Sequence, residues 1–179
     1  YLNNEVRIGS LYRGLSKEDF DGHIRRMFFD LQTEWGGIPF EVVNDGEVTA
    51  LAGAMSMGSN GVLGVAMGTS LASGYVTPDG HITNWLNELA FVPVDYRNDA
   101  PVDEWSGDMG CGVNYFSQQA VARLCVPAGI ELPDEMPLPE KLCAVQKIMA
   151  EGDARAAKIY ETIGTYLGYT IAHFSQFYT

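Results

Sequence analysis

Phe40-Glu41-Val42-Val43-Asn44-Asp45-Gly46-Glu47-Val48-Thr49-Ala50-Leu51-Ala52 and Val65-Ala66-Met67-Gly68-Thr69-Ser70-Leu71-Ala72-Ser73-Gly74-Tyr75-Val76 decide how this chain is read. In the first, a short apolar run predicts a buried strand over residues 40–43. It ends at Asn44-Asp45, and a helix follows through Val48, Leu51, Ala52 and Met55 to Gly58. In the second, residues 62–67 predict an apolar strand running into Gly68-Thr69-Ser70, with another strand over 71–76. Ser59-Asn60-Gly61 and Pro78-Asp79-Gly80 have turn chemistry. Ligands of open α/β sheets gather where strands end and helices begin. An aspartate there can accept a proton from a hydroxyl, and an asparagine offers both donor and acceptor. Taken alone, Asn44 or Asp45 reads first as the N-cap of the helix. Gly68-Thr69-Ser70 can cradle phosphate oxygens with backbone amides and two hydroxyls, but taken alone it reads first as an ordinary hairpin loop.

Upstream, Ser16-Lys17-Glu18-Asp19 resembles a capping box, and Phe20, Ile24, Phe28, Leu31 and Trp35 follow at helical spacing. Gly36-Gly37 and Pro39 end that helix. Downstream, residues 82–94 predict a further extended segment. The rest reads as helical: residues 113–124, then a connector with Pro127, Pro133, Pro137 and Pro139, then 140–150, then 154–178. Ile159, Ile163, Leu167, Ile171 and Phe174 fall on one face of the last helix. Gly164 and Gly168, one turn apart, predict a close contact there. Tyr160, Tyr166, Tyr169 and Tyr178 are packing residues of this helix, with a homodimer contact as a second reading.

Composition narrows the function. With 46% hydrophobic and 19% charged residues the chain is globular rather than disordered. A formal net charge of -12 repels phosphate backbones, so no nucleic-acid partner is expected. A nucleotide stays compatible, because local amides and a metal ion can bind one within an acidic protein. Cys111, Cys125 and Cys143 are odd in number and widely spaced, which predicts no disulfide framework and a reducing cytoplasm. No apolar run approaches the roughly 20 residues of a membrane span, so no membrane partner is expected. The opening on Tyr1 and the close on Phe177-Tyr178-Thr179, within an apolar pattern, predict further sequence on both sides.

Asn-Asp at a strand end, followed by helix, strand and Gly-Thr-Ser, resembles the actin-like ATPase fold of sugar kinases of the hexokinase and ROK type. The resemblance runs from about Ser16 to the end of the chain. It implies an α/β, ribonuclease H-like domain with a mixed sheet and a helical C-terminal half. Residues 1–44 would be a remnant of the N-terminal lobe, and 45–179 a C-terminal lobe lacking its last strand and helix. The implied reaction is ATP-dependent phosphorylation of a hexose at its 6-hydroxyl, with ATP and Mg²⁺ as cofactors. Asp45, at the open end of the sheet and in a cleft, would be the general base. Asn44 would hold neighbouring hydroxyls, and Gly68, Thr69 and Ser70 would face the phosphates. Asn87-Glu88-Leu89-Ala90-Phe91 is similar to the family loop that binds the sugar through a glutamate, which assigns Glu88 and its neighbour Asn87 to substrate. Phe91 stands where the family has a histidine. Of the family's cysteine cluster only Cys111 is present, so no zinc is expected. The first phosphate loop and the final glycine pair have no counterpart in these residues, which implies little activity from them alone. The alternative is a non-catalytic sugar-sensing or regulatory protein on the same fold.

The bland readings of other candidates come from packing and solvation. Trp35, Trp85 and Trp105 could stack on a sugar face, but packing is the commoner role. Asp99, Asp103, Glu104 and Asp108 read as a solvated acidic loop.

Overall fold

Alternating side chains on either side of Gly68-Thr69-Ser70 build the one sheet among the described residues, which are 3–7, 12, 14–83 and 85–178 of this computed structural model. Strands β1 (Val62–Met67) and β2 (Leu71–Val76) pair antiparallel, from Val62 opposite Val76 to Met67 opposite Leu71. The chain divides into two compact units, Tyr1–Asn44 and Asp45–Thr179.

In the second unit the two faces of the hairpin pack differently. One face meets a helix, Asp45–Met57, whose buried residues Gly46, Ala50 and Ala54 recur every fourth position. Such spacing lines up one narrow stripe of small groups. The stripe lies on Gly64 and Gly74, which are directly opposite each other across the sheet. A Cβ on Gly64 would stand 2.6 Å from the Ala50 Cα. Helix and sheet therefore meet backbone to backbone, an approach only glycine permits. Val62 and Val76 complete this small core with Ala50 and Ala54. Gly58, in the left-handed region at φ 62°, ends the helix.

The other face turns Leu71, with Leu63 and Val65, into a larger core. That core also takes Leu89, Val113, Phe116 and residues from three helices, Gln118–Ala128, Leu138–Ala150 and Ala154–Phe174. Chain-ordered labels are α1 for Lys17–Asp19, α2 for Met27–Glu34, α3 for Asp45–Met57, and α4 to α6 for these three. The Ser117 side chain caps α4 by accepting from Gln119 N–H at 3.2 Å, and Asp153 caps α6 by accepting from Arg155 N–H at 2.8 Å.

Several sequence expectations are corrected. The helix expected over 113–124 starts later, at Gln118, because Ser117 caps there; Gly112–Asn114 forms a 3₁₀ turn instead. Pro127 lies inside the last turn of α4 rather than in the connector. The extended segment expected over 82–94 contracts to single bridges, Val76 to Ile82 and Pro93 to Cys111, around a 3₁₀ turn at Leu89–Phe91. On α6 the buried stripe passes through Thr170, while Ile171 is exposed. Seven residues from Ile163 close two helical turns, and an eighth rotates off the face. Nothing stands within 4 Å of a Cβ built on Gly164 or Gly168, so the expected close contact is absent among the described residues.

In the first unit the capping reading of Ser16 holds: its Oγ accepts from Asp19 N–H at 3.0 Å and donates to the Asp19 carboxylate at 2.7 Å. The predicted helix is nonetheless interrupted. The π-helical turn Phe20–Ile24, which contains Gly22, separates α1 from α2. Gly36 and Gly37, both at positive φ, end it. Residues 40–43 pair with no strand among the described residues. Asn4 replaces one: its Nδ2 donates to the Phe40 carbonyl at 2.7 Å, and its Oδ1 accepts from Val42 N–H at 2.7 Å. The α/β class thus holds, while the sheet is a two-stranded antiparallel hairpin rather than a mixed one. Among the described residues no helix is long and apolar enough to cross a membrane.

Candidate functional site

Asp45 is the first residue of α3 and is exposed. Its Oδ1 accepts from Gly46 N–H at 3.0 Å, and its carbonyl accepts from Thr49 Oγ1 at 2.9 Å. A carboxylate in the first turn of a helix is favoured by the unpaired amides there. Asp45 is therefore an exposed first-turn carboxylate that accepts from the amide of its neighbour. Asn44, which precedes it, is half-buried.

Glu88 lies far from Asp45 in sequence, yet its carboxyl feels the Asp45 charge. The Glu88 carboxyl is pushed up from the ordinary glutamate range, first by partial burial and then by the negative charge of Asp45. Ser73 in β2 links the two. On one side its backbone carries Gly46, because a Cβ there would overlap the Ser73 peptide. On the other, its Oγ donates to the Asn87 carbonyl and accepts from Leu89 N–H at 3.2 Å. Ser73 thus grips the residues before and after Glu88. Sequence reasoning passed over it, since a lone serine in a strand has no motif; its only signal is polarity in the middle of an otherwise apolar strand.

Asn87 is placed differently from the expectation that it touches substrate. It is 7% exposed. Its Nδ2 donates to Thr83 Oγ1 at 2.8 Å and to the Trp85 carbonyl at 3.4 Å, and its Oδ1 accepts from Trp85 Nε1 at 3.2 Å. These side-chain hydrogen bonds all serve its own loop.

Gly68, Thr69 and Ser70 form the exposed tip of the hairpin. Gly68 N–H donates to the Ser70 carbonyl at 2.9 Å, and the Gly68 carbonyl accepts from Gln118 N–H, at the start of α4, at 3.0 Å. Among the described residues the amides of Thr69 and Ser70 donate to no backbone acceptor. Ser73 lies three residues further along β2, about 10 Å of extended chain. Asp45, Glu88 and the hairpin tip therefore belong to one framework, the α3–hairpin pair. A cavity of about 350 Å³ lies elsewhere, lined by Cys125, Ile130, Leu132 and Lys141 near the α4–α5 connection, and none of the predicted residues lines it.

Where the zinc-bearing pattern would continue, the chain is held by other means. Phe91 packs on Trp105, ring centroids 4.9 Å apart. The Tyr115 hydroxyl donates to Asp95, whose carboxylate also accepts from Arg97 at 2.8 Å. These donors hold the Asp95 carboxyl far below its ordinary value, and the Tyr115 phenol is pushed up to about 12, first by burial and then by its bond to Asp95. Asp103, expected in a solvated loop, is buried and accepts from Trp105 N–H at 3.2 Å and Ser106 N–H at 2.8 Å. Cys111 is buried and accepts from Asn114 Nδ2 at 3.3 Å. Among the described residues no three His, Cys, Asp or Glu side chains group closely enough to hold a metal ion. The chain matches no family model and no curated protein.

Proposed function

We propose that this chain carries the sugar-binding part of an ATP-dependent hexose kinase, built on a ribonuclease H-like lobe of the actin-like ATPase type. The observation that carries this reading is that Ser73 ties together the backbones beside Asp45 and around Glu88, while the Glu88 carboxyl feels the Asp45 charge. Two carboxylates on backbones tied to the same strand residue suit a ligand rich in hydroxyl groups, each of which can donate to one of them. Asp45 takes the proton from the attacking 6-hydroxyl, and Glu88 accepts from hydroxyls on the far side of the ring. Phosphoryl transfer asks little covalent chemistry of a protein and much positioning, and a framework of glycine-packed backbone supplies that. The exposed amides and hydroxyls of Thr69 and Ser70, beside Gly68, fit phosphate oxygens. MgATP, when bound, supplies the phosphoryl group and the metal charge that neutralises it.

Calorimetry with glucose tests the sugar side on the 179-residue chain. Glu88→Gln is expected to weaken binding by tenfold or more, as loss of a charged acceptor does. Glucose-dependent ADP release by the complete gene product tests the chemistry. Asp45→Ala should lower turnover by about 10²-fold or more, the loss of a general base. Unchanged turnover would remove that role. Tight glucose binding with no ADP release in the complete product would favour a sugar sensor.

A further inference from the structure

Of the three tryptophans, Trp105 packs on Phe91 at 4.9 Å and Trp35 on Phe40 at 5.6 Å between ring centroids. Trp85 is 61% exposed, and among the described residues no aromatic or cationic side chain covers its ring. An exposed aromatic ring ordinarily swings freely, yet this one is tethered. Its Nε1–H donates to Asn87 Oδ1 at 3.2 Å, while Asn87 Nδ2 donates back to the Trp85 carbonyl at 3.4 Å and to Thr83 Oγ1 at 2.8 Å. An indole N–H can only donate and a carbonyl can only accept, so the amide has one consistent orientation. Asn87 and Thr83 are both buried, so the tether has a fixed anchor. The loop is fixed again by Ser73, through the Asn87 carbonyl and Leu89 N–H on either side of Glu88.

Fixing a side chain costs rotamer entropy. In this case the residue stays 61% exposed, so its fixed orientation makes physical sense when a ligand completes the contact. An indole held by its polar edge presents an apolar face, the arrangement by which tryptophan serves recognition surfaces. We propose that Trp85 is the stacking platform of the sugar site. It covers the C–H face of a pyranose ring while Glu88 accepts from the hydroxyls. Asn87 orients the indole and is a positioning residue, not a ligand of the sugar. The substrate class is a cyclic hexose with equatorial hydroxyls, whose ring faces carry only C–H groups. This assignment rests on the hexose reading above.

The test uses the 179-residue chain carrying Trp35→Phe and Trp105→Phe, so that emission reports on Trp85 alone. Glucose should change that emission saturably. Sorbitol, with similar hydroxyls and no ring face, should not. By calorimetry in the otherwise unchanged chain, Trp85→Ala should weaken glucose binding about tenfold, the scale of one aromatic contact. Trp85→Phe should retain part of it. Asn87→Ala should weaken binding, because it keeps the indole but releases its orientation. The thermal midpoint of Trp85→Ala should fall by no more than the loss of one partly buried hydrogen bond allows, because the ring itself is exposed. Glucose binding that survives Trp85→Ala at full affinity but falls with Glu88→Gln overturns the stacking assignment and leaves the hexose reading standing. Absence of glucose binding in the unchanged chain overturns both.

Discussion

Gly46 and Ser73 touch backbone to backbone: any side-chain carbon on Gly46 would overlap the Ser73 carbonyl and amide. This contact places the first turn of α3, and with it Asp45, against the strand that holds the Glu88 loop.

Gly46→Ala should therefore destabilise the protein by about 2 kcal/mol or more, since overpacking a close contact outweighs the better helix propensity of alanine. Gly53→Ala is the control. Its nearest neighbour would be Val62 Cγ1 at 3.9 Å, an ordinary contact. It should raise stability by up to about 1 kcal/mol. Urea unfolding of both variants measures the difference; equal effects would show that the tight approach is absent in solution.

The pH dependence of Glu88 has a definite sign. Its folded pKa is raised, so the folded state favours the neutral form. Its contribution to folding is present below the ordinary glutamate range and fades as pH rises through the raised value. An NMR titration of the Glu88 carboxyl should give a midpoint above that of a free glutamate. Asp45→Asn removes the second of its two causes and should lower that midpoint. A midpoint indifferent to Asp45→Asn would mean that the two carboxylates do not feel each other.

Zinc should be absent from the purified protein. The Cys111 thiol is pushed up, first by burial and then by the charge of Asp103, and a thiol kept protonated is a poor ligand. The thermal midpoint should be the same with and without a chelator. Stoichiometric zinc that disappears with Cys111→Ser would contradict this.

In the first unit Asn4→Ala should leave the Phe40 carbonyl and Val42 amide without their present partner. Loss of these bonds should cost roughly 1–3 kcal/mol locally. The readout is hydrogen exchange at the Val42 amide, expected to accelerate. Unchanged protection would mean that the segment is held by something else.

Local signals made much of the fold legible. The hairpin, α3, α5 and α6 follow from period, turn chemistry and end signals such as Gly58. Residues 40–43 were not legible in the same way. Their apolar run has strand character, but what pairs with them is the side chain of Asn4, which depends on a left-handed backbone at φ 62° more than thirty positions away. The candidate site divides similarly. Asp45 and Gly68-Thr69-Ser70 stand at element ends, where pattern reading looks. Glu88 depended on a family resemblance, and Ser73 on nothing visible in one dimension. Asn87 was assigned to substrate by adjacency alone, whereas its hydrogen bonds are spent on Thr83 and Trp85.

Gly64 and Gly74 form a single bare rung beneath α3. Slipping the hairpin by one residue would turn every side chain of a strand to the opposite face. Ser73 or Tyr75 would then lie under the helix, where there is no room for either. A residue inserted at the hairpin tip could leave helix and strand content intact and still dislodge Asp45. The outer face of α3, with Val48, Leu51 and Met55 exposed, is under no such restriction. Evolution could repaint that face almost at will, while on the inner side one extra carbon would move the aspartate.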